Sequence, residues 1–231
     1  MRTFLVLSLL LLSQVGLGQK LYPTRDSVHI FWQPGEVITY DDYQGKPSEK
    51  IAHDMEKFGY SAAAFVGIWH ILDIAKKDDK FEKAYFAPAF QRTTSCARSN
   101  DTVQLAIQNL TFDICEVWAR WARQQLKSIR DSMNAIGSQA IMYTTIVQEM
   151  DEYWQEMRDK YIYDVLIKKK KDAYNEWKNL VNNLLKKTED FATSPEECYR
   201  LMTGKPIEKG YIQAKKLIPP LRKKEIEKAD E

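Results

Sequence analysis

The chain has 231 residues, 44% apolar and 29% charged, and its 34 Lys and Arg stand against 32 Asp and Glu for a formal charge of +2. Length and composition suit one sizeable globular core. So even a charge balance excludes broad electrostatic binding to nucleic acid, and it names no other partner.

The chain opens on an export signal. Arg2 precedes the apolar run Phe4 to Leu12, and Gly16-Leu17-Gly18 offers small residues at a cleavage position. Residues 1–18 therefore read as a signal peptide, with Gln19 as the first residue after cleavage. The run is short for a bilayer span, and no later stretch of about 18 uncharged apolar residues follows it. The expectation is a periplasmic or extracellular protein without a membrane span.

From Ser27 to Phe90 the apolar residues are β-branched or aromatic and come in runs: VHIFW (28–32), VITY (37–40), SAAAFVGIWHILDI (61–74) and KAYFAPAF (83–90). Pro34-Gly35, Gln44-Gly45-Lys46-Pro47 and the charged stretch 77–80 punctuate them, so they read as a small antiparallel sheet of three or four strands. After Cys96 the period changes. Asp101 stands as N-cap with Gln104 in capping-box position, and Val103, Ile107, Leu110, Ile114, Trp118 and Trp121 recur at helical spacing. Further helices are expected over 138–166 and over 172–185, the latter with Tyr174, Trp177, Val181, Leu184 and Leu185 as its stripe. Ser194-Pro195-Glu196-Glu197 starts one short helix containing Cys198, and Ile218-Pro219-Pro220 introduces a charged terminus. Sheet first and helices after is an α+β arrangement: a small N-terminal antiparallel sheet packed on a long helix and two further helices. The expected organisation is one domain over 19–187 and a C-terminal extension over 188–231.

Three cysteines in an exported chain make one disulfide and one thiol the simplest arithmetic. Cys115, between Ile114 and Glu116 on the long helix, is the expected buried thiol, which leaves Cys96 and Cys198 as the pair. None of the three is spaced as CxxC, and no His lies near them, so they make a poor zinc cluster.

Four segments stand out: FWQPGEVITYDDYQGKP (31–47), YSAAAFVGI (60–68), AYFAPAFQRTTSCA (84–97) and FDICEVWARWARQQL (112–126). Their order resembles a bacterial family of secreted zinc-dependent proteases. They match, in turn, the family's W-x-x-x-x-x-L-T-W-x-D-F-x-G-x-P opening, its Tyr/Ser-rich strand, its Y-F-x-P-x-x-S-W segment and its F-D-I-A-E-x-x-A-R-x-L-R-x-x-L helix. The likeness covers roughly 30–185. In that family HEQGH stands immediately before FDI: two His four residues apart reach one zinc, and the intervening Glu accepts a proton from zinc-bound water. Here those positions hold Ile107, Gln108 and Thr111. Ile has no lone pair, a Gln amide is no general base, and a Thr hydroxyl is not a usual zinc ligand.

The family's downstream Y-D-x-E-T-x-H signature has its best counterpart in KYIYDVLIKKKKDAYNEW (160–177). One register puts Lys169 at the His position and the other puts Ile167 there, and no His follows His70 anywhere in the chain. Glu116, matching the family's FDxxE glutamate, reads as a surface or supporting carboxylate, with a leftover third ligand as the alternative. Asp113, Arg120 and Arg123 read as structural. His29, His53 and His70 are dispersed over the sheet half and suggest no metal site of their own. Ser61 and Ser95 lack a paired His, and no G-x-S-x-G elbow occurs.

The tyrosines and tryptophans 118, 121, 153, 154, 161, 163, 174 and 177 fall mostly at core spacing, and an exposed rim of them would suit stacking on a sugar or peptide. Lys168 to Lys171 reads as a solvated run with an acidic partner as the alternative. Asn100-Asp101-Thr102 and Asn109-Leu110-Thr111 match the glycosylation pattern, the second inside a helix. The resemblance thus implies an exported, non-catalytic relative of the proteases, acting as a binding or scaffold module without cofactor, catalytic residue or metal. Its partner would be a protein or an envelope glycan. An active metallohydrolase with a rebuilt site and an envelope carbohydrate-binding protein are the competing expectations.

Overall fold

Val66–Ala75 (β3) and Lys83–Gln91 (β4) form the long antiparallel hairpin around which the rest is arranged, in register from Val66 opposite Phe90 to Asp73 opposite Lys83. The computed structural model describes residues 21–77 and 79–214, so the leader 1–18 and Ile218-Pro219-Pro220 lie outside the described residues. His29–Phe31 (β1) pairs with the far end of β4, and Tyr211–Gln213 (β6) pairs with the other edge of β3. The result is a four-stranded antiparallel sheet in the order β1-β4-β3-β6. Ala62–Ala63 (β2) and Cys96–Ala97 (β5) make a separate two-residue ladder.

The fold is α+β, with the sheet packed against long helices. Thr102–Met133 (α2) and Ser138–Ile162 (α3) form an antiparallel pair, a π-helical turn spans Tyr163–Ile167, and Ala173–Lys187 (α4) follows. β4 reads as an unbroken apolar run because both its faces are covered. Phe86 and Phe90 face α2 and its neighbours, while Ala87 and Ala89 face Cys198 and Leu201 of Pro195–Thr203 (α5). Burying Leu201 there contributes about 2 kcal/mol. None of the helices among the described residues is long and apolar enough to cross a membrane.

The structure departs from the sequence reading in several places. VITY is not a strand: the backbone N–H and C=O of Ile38 are both taken by the Asn109 side-chain amide, at 2.8 and 3.0 Å, so no ladder partner is needed, and Tyr40–Asp42 then closes a 3₁₀ turn. Glu49–Phe58 (α1), unassigned from sequence, is a helix capped by Ser48 and stopped by Gly59 at φ 69°. The run 61–74 breaks between β2 and β3, where the Ser95 hydroxyl accepts from Phe65 N–H at 2.8 Å. Gly45 is required by close approach, since a Cβ would stand 2.6 Å from the Thr93 carbonyl oxygen.

Residues 188–214, expected as an extension, pack into the body of the fold. α5 is capped by Ser194 in a capping box with Glu197, as its sequence suggested, and β6 completes the sheet. Arg200 of α5 is fully buried and grips Asp73 of β3 through two bonds of 2.8 and 2.6 Å. The Cys96–Cys198 bridge does not form: Cys96, Cys115 and Cys198 are all buried free thiols, held in separate layers between β2–β5, α2–α3 and α5. Burial pushes each thiol pKa up, so none carries a thiolate at neutral pH.

Candidate functional site: the helix face at 107, 108 and 111

The start of α2 is fixed by Asp101, whose carboxylate accepts from the backbone N–H of Val103 and Gln104 at 2.9 and 3.2 Å. The expected reciprocal bond from Gln104 is absent. Its side chain instead accepts from the N–H and hydroxyl of Ser61 and donates to the Gly59 carbonyl, which ties the helix start to the end of α1. Val103, expected on the core face, is 67% exposed.

Ile107 is buried at 2% exposure and packs with Leu110, Ile114, Val117, Tyr161 and Val181, the seam between α2, α3 and α4. Its carbonyl accepts from the Thr111 hydroxyl at 3.0 Å and the Tyr161 hydroxyl at 3.3 Å. Thr111 is buried and its hydroxyl is turned back onto the helix, while Gln108 is half-buried. The positions where the protease family has two His and a Glu are therefore filled by an apolar seam and a hydroxyl that satisfies its own helix.

Glu116 is not a surface carboxylate, and it is no third ligand to that face. Nine residues at 100° each put it about 180° round the helix from Ile107. It is fully buried. Its Oε1 accepts from Arg120 Nε at 2.7 Å and from the Thr193 backbone N–H at 2.9 Å, and its Oε2 accepts from the Thr193 hydroxyl at 2.6 Å. Arg123 stands 3.7 Å from the same carboxylate and bonds Glu197 at 2.8 Å and the Phe86 carbonyl at 2.7 Å. It also donates to the Phe191 carbonyl and to Thr193 Oγ1. Arg120 adds the Leu185 carbonyl at 2.6 Å and lies over the Trp32 ring at 5.1 Å. Apart from the Arg120–Glu116 bond within α2, these bonds join α2 to β4 or to the segment 185–197, so the carboxylate is the hub of a buried lock. Thr193, and the part Glu197 plays here, escaped the sequence reading, although the helix start at Ser194-Pro195-Glu196-Glu197 was a visible sign that this segment is ordered.

Asp113 accepts from Trp32 Nε1 at 2.8 Å, and burial holds its carboxyl above the usual carboxylate range. The histidines lie apart. His29 stacks edge-on against Trp69, His53 is exposed on α1, and His70 shares a hydrogen bond of 2.8 Å with the Tyr143 hydroxyl. Among the described residues no three His, Cys, Asp or Glu side chains converge to hold a metal ion.

The aromatic residues divide. Trp154 and Tyr161 are buried, Trp118, Trp121, Tyr174 and Trp177 are half-buried, and Tyr153 and Tyr163 are exposed. Lys168 to Lys171 are exposed, and Lys170 is drawn 2.5 Å from Asp164. Asn109 is clamped on Ile38 with Thr111 buried behind it, while Asn100 is exposed.

Set beside protein-family models, curated proteins and solved structures, the chain matches none of them.

Proposed function

We propose that the chain is an exported, non-catalytic relative of the secreted zinc-dependent proteases that acts as a binding or scaffold module. The observation that carries this reading is the fate of the helix face at 107, 108 and 111. An apolar seam needs Ile107 for packing, and Thr111 spends its hydroxyl on the helix. Glu116, at the place of the motif's FDxxE glutamate, has both oxygens engaged by Arg120 and Thr193 and points the other way. Zinc hydrolysis needs several donors and a base held around one point with an open position, and here the remaining donors are scattered.

The test is metal content and peptide hydrolysis of the exported protein beside an Ile107→His, Gln108→Glu, Thr111→His variant. The wild type is expected to carry no stoichiometric zinc and to cleave nothing. One tightly held zinc with chelator-sensitive cleavage would mean a rebuilt metallohydrolase instead. The triple variant is expected to gain metal weakly and activity hardly at all, because it has no third ligand.

A second reading, an envelope glycan as the partner, draws on Tyr153, which is 40% exposed and packs edge-on against Trp121 at 5.6 Å beside Trp118. A sugar stacking there would quench Trp fluorescence, and a Tyr153→Ala variant would lose the response.

A further inference from the structure

Among the described residues, no strand pairs with the end of β4 opposite β1. β1 reaches only from Ala89 to Gln91. Along β4 the outward-turned backbone groups belong to alternate residues: the Pro88 carbonyl accepts from Trp32 N–H at 3.0 Å, and the N–H and C=O of Phe86 are met by Glu197 at 3.3 Å and Arg123 at 2.7 Å. By the same alternation the N–H and C=O of Ala84 face outward, with no strand beyond them among the described residues. They open on a groove of about 420 Å³ between β4, the C-terminal half of α2 and the start of α5. The groove lies near Arg123, sixteen residues and about 24 Å along α2 from Ile107, so it is separate from the helix face at 107, 108 and 111.

Two residues of this groove's wall each hold a buried acceptor that has no partner among the described residues. Glu82, 5% exposed, caps the N-terminus of α3 by accepting from Gly137 N–H through Oε1, and its Oε2 is unbonded. Gln139, also 5% exposed, donates its amide to the Leu126 carbonyl at 3.1 Å, which fixes the other end of the amide as an acceptor, and that oxygen is unbonded as well. The charges around them are uneven. Lys83 is committed to Glu208, and Arg123 to Glu197 and Glu116. Lys127 and Arg130 share Asp131, a surplus of one cation, against Glu82, Asp190 and Glu196, for which no ion pair occurs among the described residues.

We infer that this groove binds an extended segment of a partner protein through a basic side chain. The Lys or Arg of the partner enters between Glu82 and Gln139, and its backbone adds to the sheet edge at Ala84. The inference rests on the binding-module reading and names the chemistry of its partner. A carboxylate and a carbonyl oxygen both require donors, which an ammonium or guanidinium supplies and an acidic or apolar side chain does not. The free N–H and C=O of Ala84 accept one bridge of an added strand, the recognition mode by which sheet edges take extended peptides.

The test uses the full exported chain and fluorescein-labelled hexapeptides that carry Lys, Arg, norleucine or Glu at one central position in an otherwise Ser/Thr/Val background, read by fluorescence polarisation. The Lys and Arg peptides are expected to bind, with the norleucine and Glu peptides at least tenfold weaker. Glu82→Gln should erase most of that preference. Because it also alters the cap of α3, Ala84→Pro is the second variant: like Pro88, it removes an outward N–H without touching the β3 ladder, and it should weaken the Lys peptide several-fold while leaving thermal unfolding near wild type. Equal binding of the Lys and norleucine peptides, or no binding of any peptide, overturns the inference, and so does full retention of the Lys preference in both folded variants. Failure here leaves metal content and hydrolysis unchanged, so it is distinguishable from failure of the non-catalytic reading.

Discussion

Along α2, the stretch from Ile107 to Ile114 is held by apolar side chains of α3 and α4, whereas the stretch from Glu116 to Arg123 is held by charged groups and the C-terminal segment. Both are buried, yet the forces differ in how they tolerate change. Apolar contacts are non-directional and can be replaced by others of similar volume. A buried charge depends on a named partner, and removing that partner leaves the charge in a low dielectric with nothing to offset it. The face that resembles a catalytic site in sequence is thus an apolar seam, while the polar chemistry of the helix lies on the opposite side and serves the fold.

The largest effect should come from the charged locks. Arg200→Ala leaves Asp73 buried without its two hydrogen bonds and is expected to cost about 3–5 kcal/mol, read as a fall in the urea midpoint. A paired Asp73→Leu, Arg200→Met replacement removes both charges and should recover most of that loss. If the single and double variants are equally damaged, the pair is not what holds α5 to the sheet.

Next comes the apolar seam. Ile107→Asp puts an unpaired carboxylate among Leu110, Ile114, Tyr161 and Val181 and should destabilise by roughly 3 kcal/mol or more. A melting curve near wild type would mean that this face is wet, and the contrast between the two sides of α2 would collapse.

A smaller effect is expected at Asn109, which belongs to neither side but fastens the loop before the 3₁₀ turn to α2. Asn109→Ala leaves the N–H and C=O of Ile38 without their partner and should cost about 2 kcal/mol. Amide exchange at Ile38 should rise in step, and unchanged protection there would show that the clamp is dispensable.

The smallest effect concerns pH. Burial lowers the His70 pKa below its ordinary 6.5, so the folded state prefers the neutral ring that meets Tyr143. The sign follows: the unfolded chain binds the proton first, so stability present above about pH 6.5 is lost as the pH falls through and below that value. The groups facing the ring, Tyr143 and Phe86, carry no charge to oppose this. The denaturation midpoint should drop more between pH 7.5 and 5.5 in the wild type than in His70→Gln, and parallel drops would place the titration elsewhere.

Local pattern determined a good deal of this protein. The period-two and apolar runs of β1, β3 and β4, the helical spacing of α2 to α4 and the Ser194–Glu197 cap are consequences of neighbours in the chain, and neighbours in the chain are what a sequence displays. The burial of Ile107 was legible for the same reason, since it shares a stripe with Leu110 and Ile114. The absence of His and Glu at 107, 108 and 111 was legible because it concerns residue identity alone.

Contacts between distant segments decided the rest. VITY has strand propensity, but Asn109, 71 residues away from Ile38, took the backbone groups that a ladder would have used. Cys96 and Cys198 looked like a pair by elimination, and the sheet and helices hold them in different layers. Glu116 read as a surface or supporting carboxylate with a third ligand as the alternative, and only the return of Thr193 and Glu197 from the C-terminal segment made it the hub of a buried network. Its angular position, half a turn from Ile107, follows from helix geometry, but which groups wait on that side does not. Side-chain bonds and charge pairs of this kind are set by where the chain comes back in space, and the linear pattern carries no periodic trace of them.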